Sequence, residues 1–166
     1  MDIRDSFLNA LNDAHRMGDI ALEDLTPEVA HFDAGGTTNT IAQLLSHLTM
    51  GEDAAFNRMI TGGTRIIETD SWAEKCGIPL ERGAVWGKEW KLNIDAFREY
   101  RELVKKSASG YIETMDLADL DKEVEAFNGL RPVHNIMQII VINHMLGHEG
   151  EVSTLKGIQG LKGLPF

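Results

Sequence analysis

The sequence predicts an all-α fold, most simply a four-helix bundle, on three observations. Four long segments carry apolar residues at three- and four-residue steps, the period of an amphipathic helix. Each opens or closes on residues that start or stop helices. No stretch of useful length alternates polar and apolar residues as a half-buried strand does. The 166 residues suffice for one domain with its own core, so a single domain over 1–166 is expected.

The first helix is expected from about Asp2 to about Glu23, with Ile3, Phe7, Leu11 and Ala14 on its apolar face. It stops before Leu25-Thr26-Pro27, where proline cannot continue it. The second starts near Thr38 or Asn39, either of which can cap free helix N–H groups. Its stripe runs through Ile41, Leu44, Leu45, Leu48, Ala55, Met59 and Ile60 to the stop at Gly62-Gly63. The third runs from Asn93 or Asp95 to about Met115, with Ile94, Phe97, Tyr100, Leu103, Val104, Tyr111 and Ile112 apolar and Gly110 a weak point. The fourth opens on Pro132, a favoured first helical position. Val133, Met137, Ile140, Val141, His144, His148, Val152 and Leu155 follow at helical steps, and Gly157 or Gly160 ends it.

The outer connections are short enough for antiparallel neighbours, whereas residues 61–92 form a long link between the second and third helices. A parallel pair needs a connection that travels back along the whole rod, which makes up-down-down-up order the natural expectation. The link carries all three tryptophans, Trp72, Trp86 and Trp90. Indole is mainly a packing group, so they are expected to seat the link on the bundle, with a wall of a substrate pocket as the sharper alternative.

Charge and cysteine content exclude several function classes. A net charge of −10 disfavours a phosphate-tracking surface, so no nucleic-acid partner is expected. Lys105-Lys106 and Arg98 with Arg101 alternate with Glu99 and Glu102 and read as a solvated helix face. No apolar run is long enough to span a bilayer, and the start of the chain lacks the basic-then-apolar order of a signal peptide, so the cytoplasm is the expected location and no membrane is involved. A lone cysteine, Cys76, cannot form an internal disulfide, and in the expected loop Lys75-Cys76-Gly77-Ile78-Pro79 it reads as a bland thiol.

The chemistry concentrates in histidine. Residues four apart on a helix differ by about 40° in direction and about 6 Å in height. His144 and His148 therefore project from one face, inside the apolar stripe between Ile140 and Val152. Two inward imidazoles need a partner, and a metal ion supplies one. His47, between Leu44 and Leu48, can join them from a separate helix, as bundle metal sites require. Three imidazoles suit a divalent ion, Zn, Ni, Cu or Fe(II), with a coordination position left open. The competing reading for each is a core histidine bonded to a backbone carbonyl.

His31 is expected in a loop, His134 at a helix start, and His15 on a polar face. Gly51 and Gly147, close to the ligands in sequence, either leave room for water or substrate or permit close helix contact. Glu52, Asp53, Glu149 and Glu151 are carboxylates that could orient an imidazole or act as a base, with none singled out. No Gly-rich phosphate loop, no HExxH and no Ser or Cys with a base partner is present.

Asn39-Thr40-Ile41-Ala42-Gln43-Leu44-Leu45-Ser46-His47-Leu48 with Gly51-Glu52, and Asn143-His144-Met145-Leu146-Gly147-His148-Glu149-Gly150 with Leu155 and Gly160, resemble the DinB/YfiT-like superfamily over nearly the whole chain. The resemblance implies an up-down-down-up bundle, often a homodimer, with His47, His144 and His148 as metal ligands and zinc or nickel as the ion. It also implies a possible low-molecular-weight thiol cosubstrate, since characterised relatives use bacillithiol or mycothiol. Thiol attack on a small electrophile is the leading expectation, with water or a thiolate in the open position, followed by hydrolysis by bound hydroxide. A non-catalytic metal- or ligand-binding stress protein acting as a dimer is the alternative, and a plain helical dimerisation module the third. Substrate, catalytic residues and thiol-binding residues stay unassigned.

Overall fold

The computed structural model describes residues 2–81, 87–127 and 129–163. Four long helical rods dominate it, as the apolar periodicity requires, and the fold is all-α with one small hairpin.

The first rod, α1 (Ile3–Leu22), begins with a capping box. The Asp2 side chain accepts from Asp5 N–H while the Asp5 side chain accepts from Asp2 N–H, so two orphan donors are satisfied at once. Leu25-Thr26-Pro27 does stop α1, but it also starts a one-turn helix, α2 (Pro27–Ala30), with Thr26 as its cap. The second rod, α3 (Ile41–Asp53), is capped by Thr40 rather than Thr38 or Asn39. Only Thr40 has a glutamine three positions on: the Thr40 hydroxyl accepts from Gln43 N–H, and Gln43 accepts from Thr40 N–H at 2.7 Å. The rod continues as a π-helical stretch, Ala54–Ile60.

The link to the third rod holds a 3₁₀ turn (Ile66–Glu68) and a short helix, α4 (Trp72–Cys76). Gly77 ends α4 at φ +69°, and a Cβ there would stand 2.6 Å from the Lys91 carbonyl oxygen. Glycine is thus doubly required where the link meets the start of the third rod. Of the tryptophans, Trp72 is buried against Tyr100 with Lys75 over its ring, and Trp90 meets the His31 ring edge-on. Trp86 lies outside the described residues. Cys76 is buried at the end of α4 rather than in a loop, and burial pushes its thiol up to about 11, which removes it as a nucleophile at neutral pH.

The third rod, α5 (Ile94–Thr114), is capped by Asn93 and passes through Gly110 without a break. A second 3₁₀ turn (Leu117–Asp121) leads into the hairpin, β1 (Glu123–Ala126) with β2 (Gly129–Pro132), paired antiparallel from Glu123↔Pro132 to Ala126↔Gly129. The absence of strands expected from the sequence is corrected here. Each strand has four residues, too few for alternation to register over a helical background. Pro132 therefore closes β2 at ψ 146° instead of opening the fourth rod. That rod is α6 (Val133–Asn135), a π-helical stretch (Ile136–Asn143) and α7 (His144–Ile158).

Side-chain bonds give the directions of the rods. Arg4 donates to the Met115 carbonyl and Arg98 to the Leu22 carbonyl, so α1 and α5 run oppositely. Tyr100 bonds Asp53 and Ser107 bonds Asn57, so α5 runs alongside the second rod in the same sense. Gly18 lies against Glu149, and Lys156 donates to the Ala21 carbonyl, which sets α7 alongside α1.

The core forms two apolar clusters, one around Leu44, Leu45, Phe97, Tyr100 and Leu155, the other around Leu11, Phe56, Ile112, Ile136 and Met137. Buried polar side chains also penetrate the interior: His15, Glu52, Asp53, Arg101 and Glu149. Arg101 is 5% exposed and donates to the His15 carbonyl and to Asp19, which corrects its reading as part of a solvated face. Among the described residues, no helix is long and apolar enough to cross a membrane.

Candidate metal centre

The two histidine-bearing rods are packed together, and each carries a π-helical stretch close to its histidines. Such stretches offset the side chains that follow by part of a turn and recur at functional sites. Here the offset puts the buried stripe of the fourth rod on Ile136, Met137, Val141, Met145, Glu149 and Val152. His144 and His148 fall at the edge of that stripe, half-buried, rather than within it.

The three expected ligands meet. His47 Nε2 lies 2.9 Å from His144 Nε2, and His148 Nε2 lies 3.1 Å from the same atom. All three nitrogens sit within 4.8 Å of one another. Protons alone satisfy this arrangement poorly. An imidazole nitrogen has one in-plane lone pair or one N–H, so His144 Nε2 can make one good hydrogen bond, not two. A cation accepts all three lone pairs together. With arms of about 2.0–2.1 Å, nitrogens 2.9 and 3.1 Å apart subtend about 90–100° at an ion, within the range of divalent-metal coordination. The donor set therefore fits the group.

The surroundings orient the rings and favour the neutral form of His47 and His144. His144 is also bonded to the Ile140 carbonyl, and because its Nε2 faces the other rings, that bond fixes the proton on Nδ1. His148 Nδ1 lies 2.9 Å from the Glu151 carboxylate, though outside hydrogen-bond alignment. Burial, and then the neighbouring His144 and His148, pull the His47 pKa down to about 4. His144 is lowered by burial and by His148, with Glu151 and the Ile140 carbonyl acting in the opposite direction. At neutral pH both rings present lone pairs.

A cavity of ≈ 400 Å³ opens beside His47 and His144. Gly51 and Ala54 give it small residues on the second rod, Met50 and Ile140 apolar wall, and Pro79, Leu80 and Phe127 further wall from the link and the hairpin. A Cβ on Gly51 would meet nothing within 4 Å, so this glycine leaves room rather than permitting close helix contact. Gly147 is likewise free of close neighbours, but it is exposed and outside the cavity. Neither Trp72 nor Trp90 lines the cavity, so the pocket-wall alternative fails for these two.

The other candidates have different roles. His15 is buried, not on a polar face: its Nε2–H donates to Glu52 Oε1 at 2.7 Å. Glu52 thus orients His15 and not the three ligands. Asp53 is a structural hub that accepts from Ile66 N–H, Ile67 N–H, Tyr100 O–H and Asn57 Nδ2–H at 2.8–2.9 Å. Burial, followed by the adjacent Asp53, keeps Tyr100 protonated. Glu149 is buried, and that burial pushes its carboxyl up to about 7, with Arg101 working against it. His31 Nε2 accepts from Leu92 N–H, and His134 Nδ1 faces the Leu120 carbonyl. Arg65, Leu80 and Phe127 line the cavity without having been singled out; isolated loop residues carry no periodic signal.

A bundle of four long rods with three convergent imidazoles defines a class of small helical proteins with a potential metal centre. The chain belongs to the DinB superfamily, whose family model matches residues 10–151. A conserved protein of Enterococcus faecalis has a similar structure, with a TM-score of 0.80 at 14% identity, covering 96% of this chain and 99% of that one. At that identity the likeness concerns the fold. No curated protein gives a significant match.

Proposed function

We propose that the protein is a metal-dependent enzyme in which His47, His144 and His148 hold one divalent ion, zinc or nickel, and that it transfers a low-molecular-weight thiol to a small electrophile. The observation that carries the metal reading is the double approach to His144 Nε2, which one lone pair cannot satisfy by hydrogen bonding. When bound, such an ion lowers the pKa of a thiol or water in its remaining position and makes it nucleophilic near neutral pH.

The chain's own residues supply the rest. The Ile140 carbonyl fixes the tautomer of His144, Glu151 stands beside His148, and Gly51 and Ala54 keep space open next to the imidazoles. The apolar cavity walls favour an apolar substrate body and limit water around it. Transfer of a thiol and a homodimeric assembly rest on the family resemblance.

Elemental analysis of the purified protein tests the metal. About one ion per chain is expected, falling to near none in His144→Ala with the fold retained by circular dichroism. Equal content in both proteins removes the proposal. Cobalt substitution then tests the open position: a spectrum that changes on addition of a thiol supports transfer chemistry, whereas an indifferent one favours a closed binding site.

A further inference from the structure

We infer that the cavity beside the three histidines takes small molecules with a carboxylate on an apolar body, and that Arg65 recognises the carboxylate. This inference rests on the reading of that cavity as a substrate site and names the class of molecule it admits.

Arg65 is the one lysine or arginine among the described residues lining the cavity. Its place is built in by the fold. It immediately precedes the 3₁₀ turn, and Asp53 clamps that turn by accepting from the backbone N–H groups of Ile66 and Ile67, both at 2.9 Å. The same rod presents Gly51 and Ala54 to the cavity, so the clamp sets the arginine beside the floor of the site.

The guanidinium has donors to spare. Its Nη2 donates to Glu68 Oε1 at 2.7 Å, while its Nε is buried without a hydrogen-bond partner. Glu68 must also neutralise Arg58, whose Nη2 lies 2.5 Å from Oε2. Two guanidiniums thus share the Glu68 carboxylate. Arg58 lines an adjoining cavity of ≈ 450 Å³ that shares Ala54, Arg65 and Phe127 with the first. The acid among the described residues lining that adjoining cavity, Glu125, is exposed to screening water.

The one acid among the described residues lining the first cavity, Glu81, is exposed, so water screens its charge; the Arg65 side chain is 21% exposed, where screening is weaker. A planar fork of N–H groups suits a carboxylate and can bind it through two parallel bonds. Met50, Leu80, Phe127 and Ile140 then provide apolar contact for the remainder of the molecule.

The test is calorimetric titration with hexanoate and with hexanamide, a neutral probe of the same length. It is made on metal-loaded protein and on His144→Ala, with metal content measured separately. Hexanoate is expected to bind at least about ten-fold tighter than hexanamide in both proteins. Arg65→Gln should reduce that preference to within about two-fold without changing metal content or hexanamide affinity, with the fold retained by circular dichroism, and Arg65→Lys should recover part of it. A preference seen only with metal and surviving in Arg65→Gln would place the carboxylate on the ion and overturn the inference while leaving the metal reading intact. Equal affinities, or no binding of hexanoate, would also overturn it. Absence of metal with the preference intact would defeat the metal proposal and leave Arg65 in its role.

Discussion

His47 shows how a single residue can link fold stability to occupancy of the site. In the metal-free protein its folded pKa, about 4, lies below the ordinary histidine value of 6.5. The unfolded chain therefore takes up the proton first as pH falls. Its contribution to stability is intact above pH 6.5 and is lost as pH drops towards about 4. Denaturant titrations of metal-free protein should show stability decreasing across that window, and His47→Gln should flatten the decrease. A decline of the same size in the variant would assign it to other groups. The same protonation competes with metal, so metal affinity should weaken in the same direction. His144 and His148 were legible because four-residue spacing has one geometric meaning on a helix. His15 was not, because a histidine beside an apolar stripe gives no sign of a carboxylate waiting on another rod. The Glu52 partner comes from 37 positions away.

At the scale of elements, the link between the second and third rods is built to a tight tolerance at Gly77. A Cβ there would be 2.6 Å from a backbone oxygen, and the φ of +69° is costly for any other residue. Gly77→Ala should destabilise the protein by about 2 kcal/mol or more, read as a lower midpoint in urea. An unchanged midpoint would mean that the start of α5 can shift without penalty. The rods themselves were readable from periodicity and caps. The hairpin was missed, although the dipeptide Asn-Gly at 128–129 is the usual signal of a tight turn between strands. The π-helical stretches had no signature at all: Ala54–Ile60 and Ile136–Asn143 look like ordinary apolar helix, and tertiary packing decides their pitch.

Across the whole molecule, polar contacts join rods that the two apolar clusters also pack together. Arg101 joins α5 to α1 through the His15 carbonyl and Asp19, and it offsets the charge of Glu149 on α7. Arg101→Ala would leave the buried His15 carbonyl without this donor and the buried Glu149 with only Lys156 to offset its charge, while Asp19 keeps Lys105. The substitution should cost about 3 kcal/mol, lowering the melting temperature by about 6–12 °C. Arg101→Lys should not restore it, because one ammonium cannot reach the carbonyl and Asp19 together with the same geometry. Full stability in the alanine variant would show that the apolar clusters alone fix the rods. The division of labour around the cavity has a further consequence. Its metal-facing side comes from the two histidine rods, while Arg65, Pro79, Leu80, Glu81 and Phe127 come from the link and the hairpin. Substitutions or insertions in those connections can redirect which molecule is admitted and leave the imidazoles undisturbed. Reactivity and selectivity are thus encoded in separate stretches of chain, and descendants of one such bundle can diverge in what they bind while keeping the same centre.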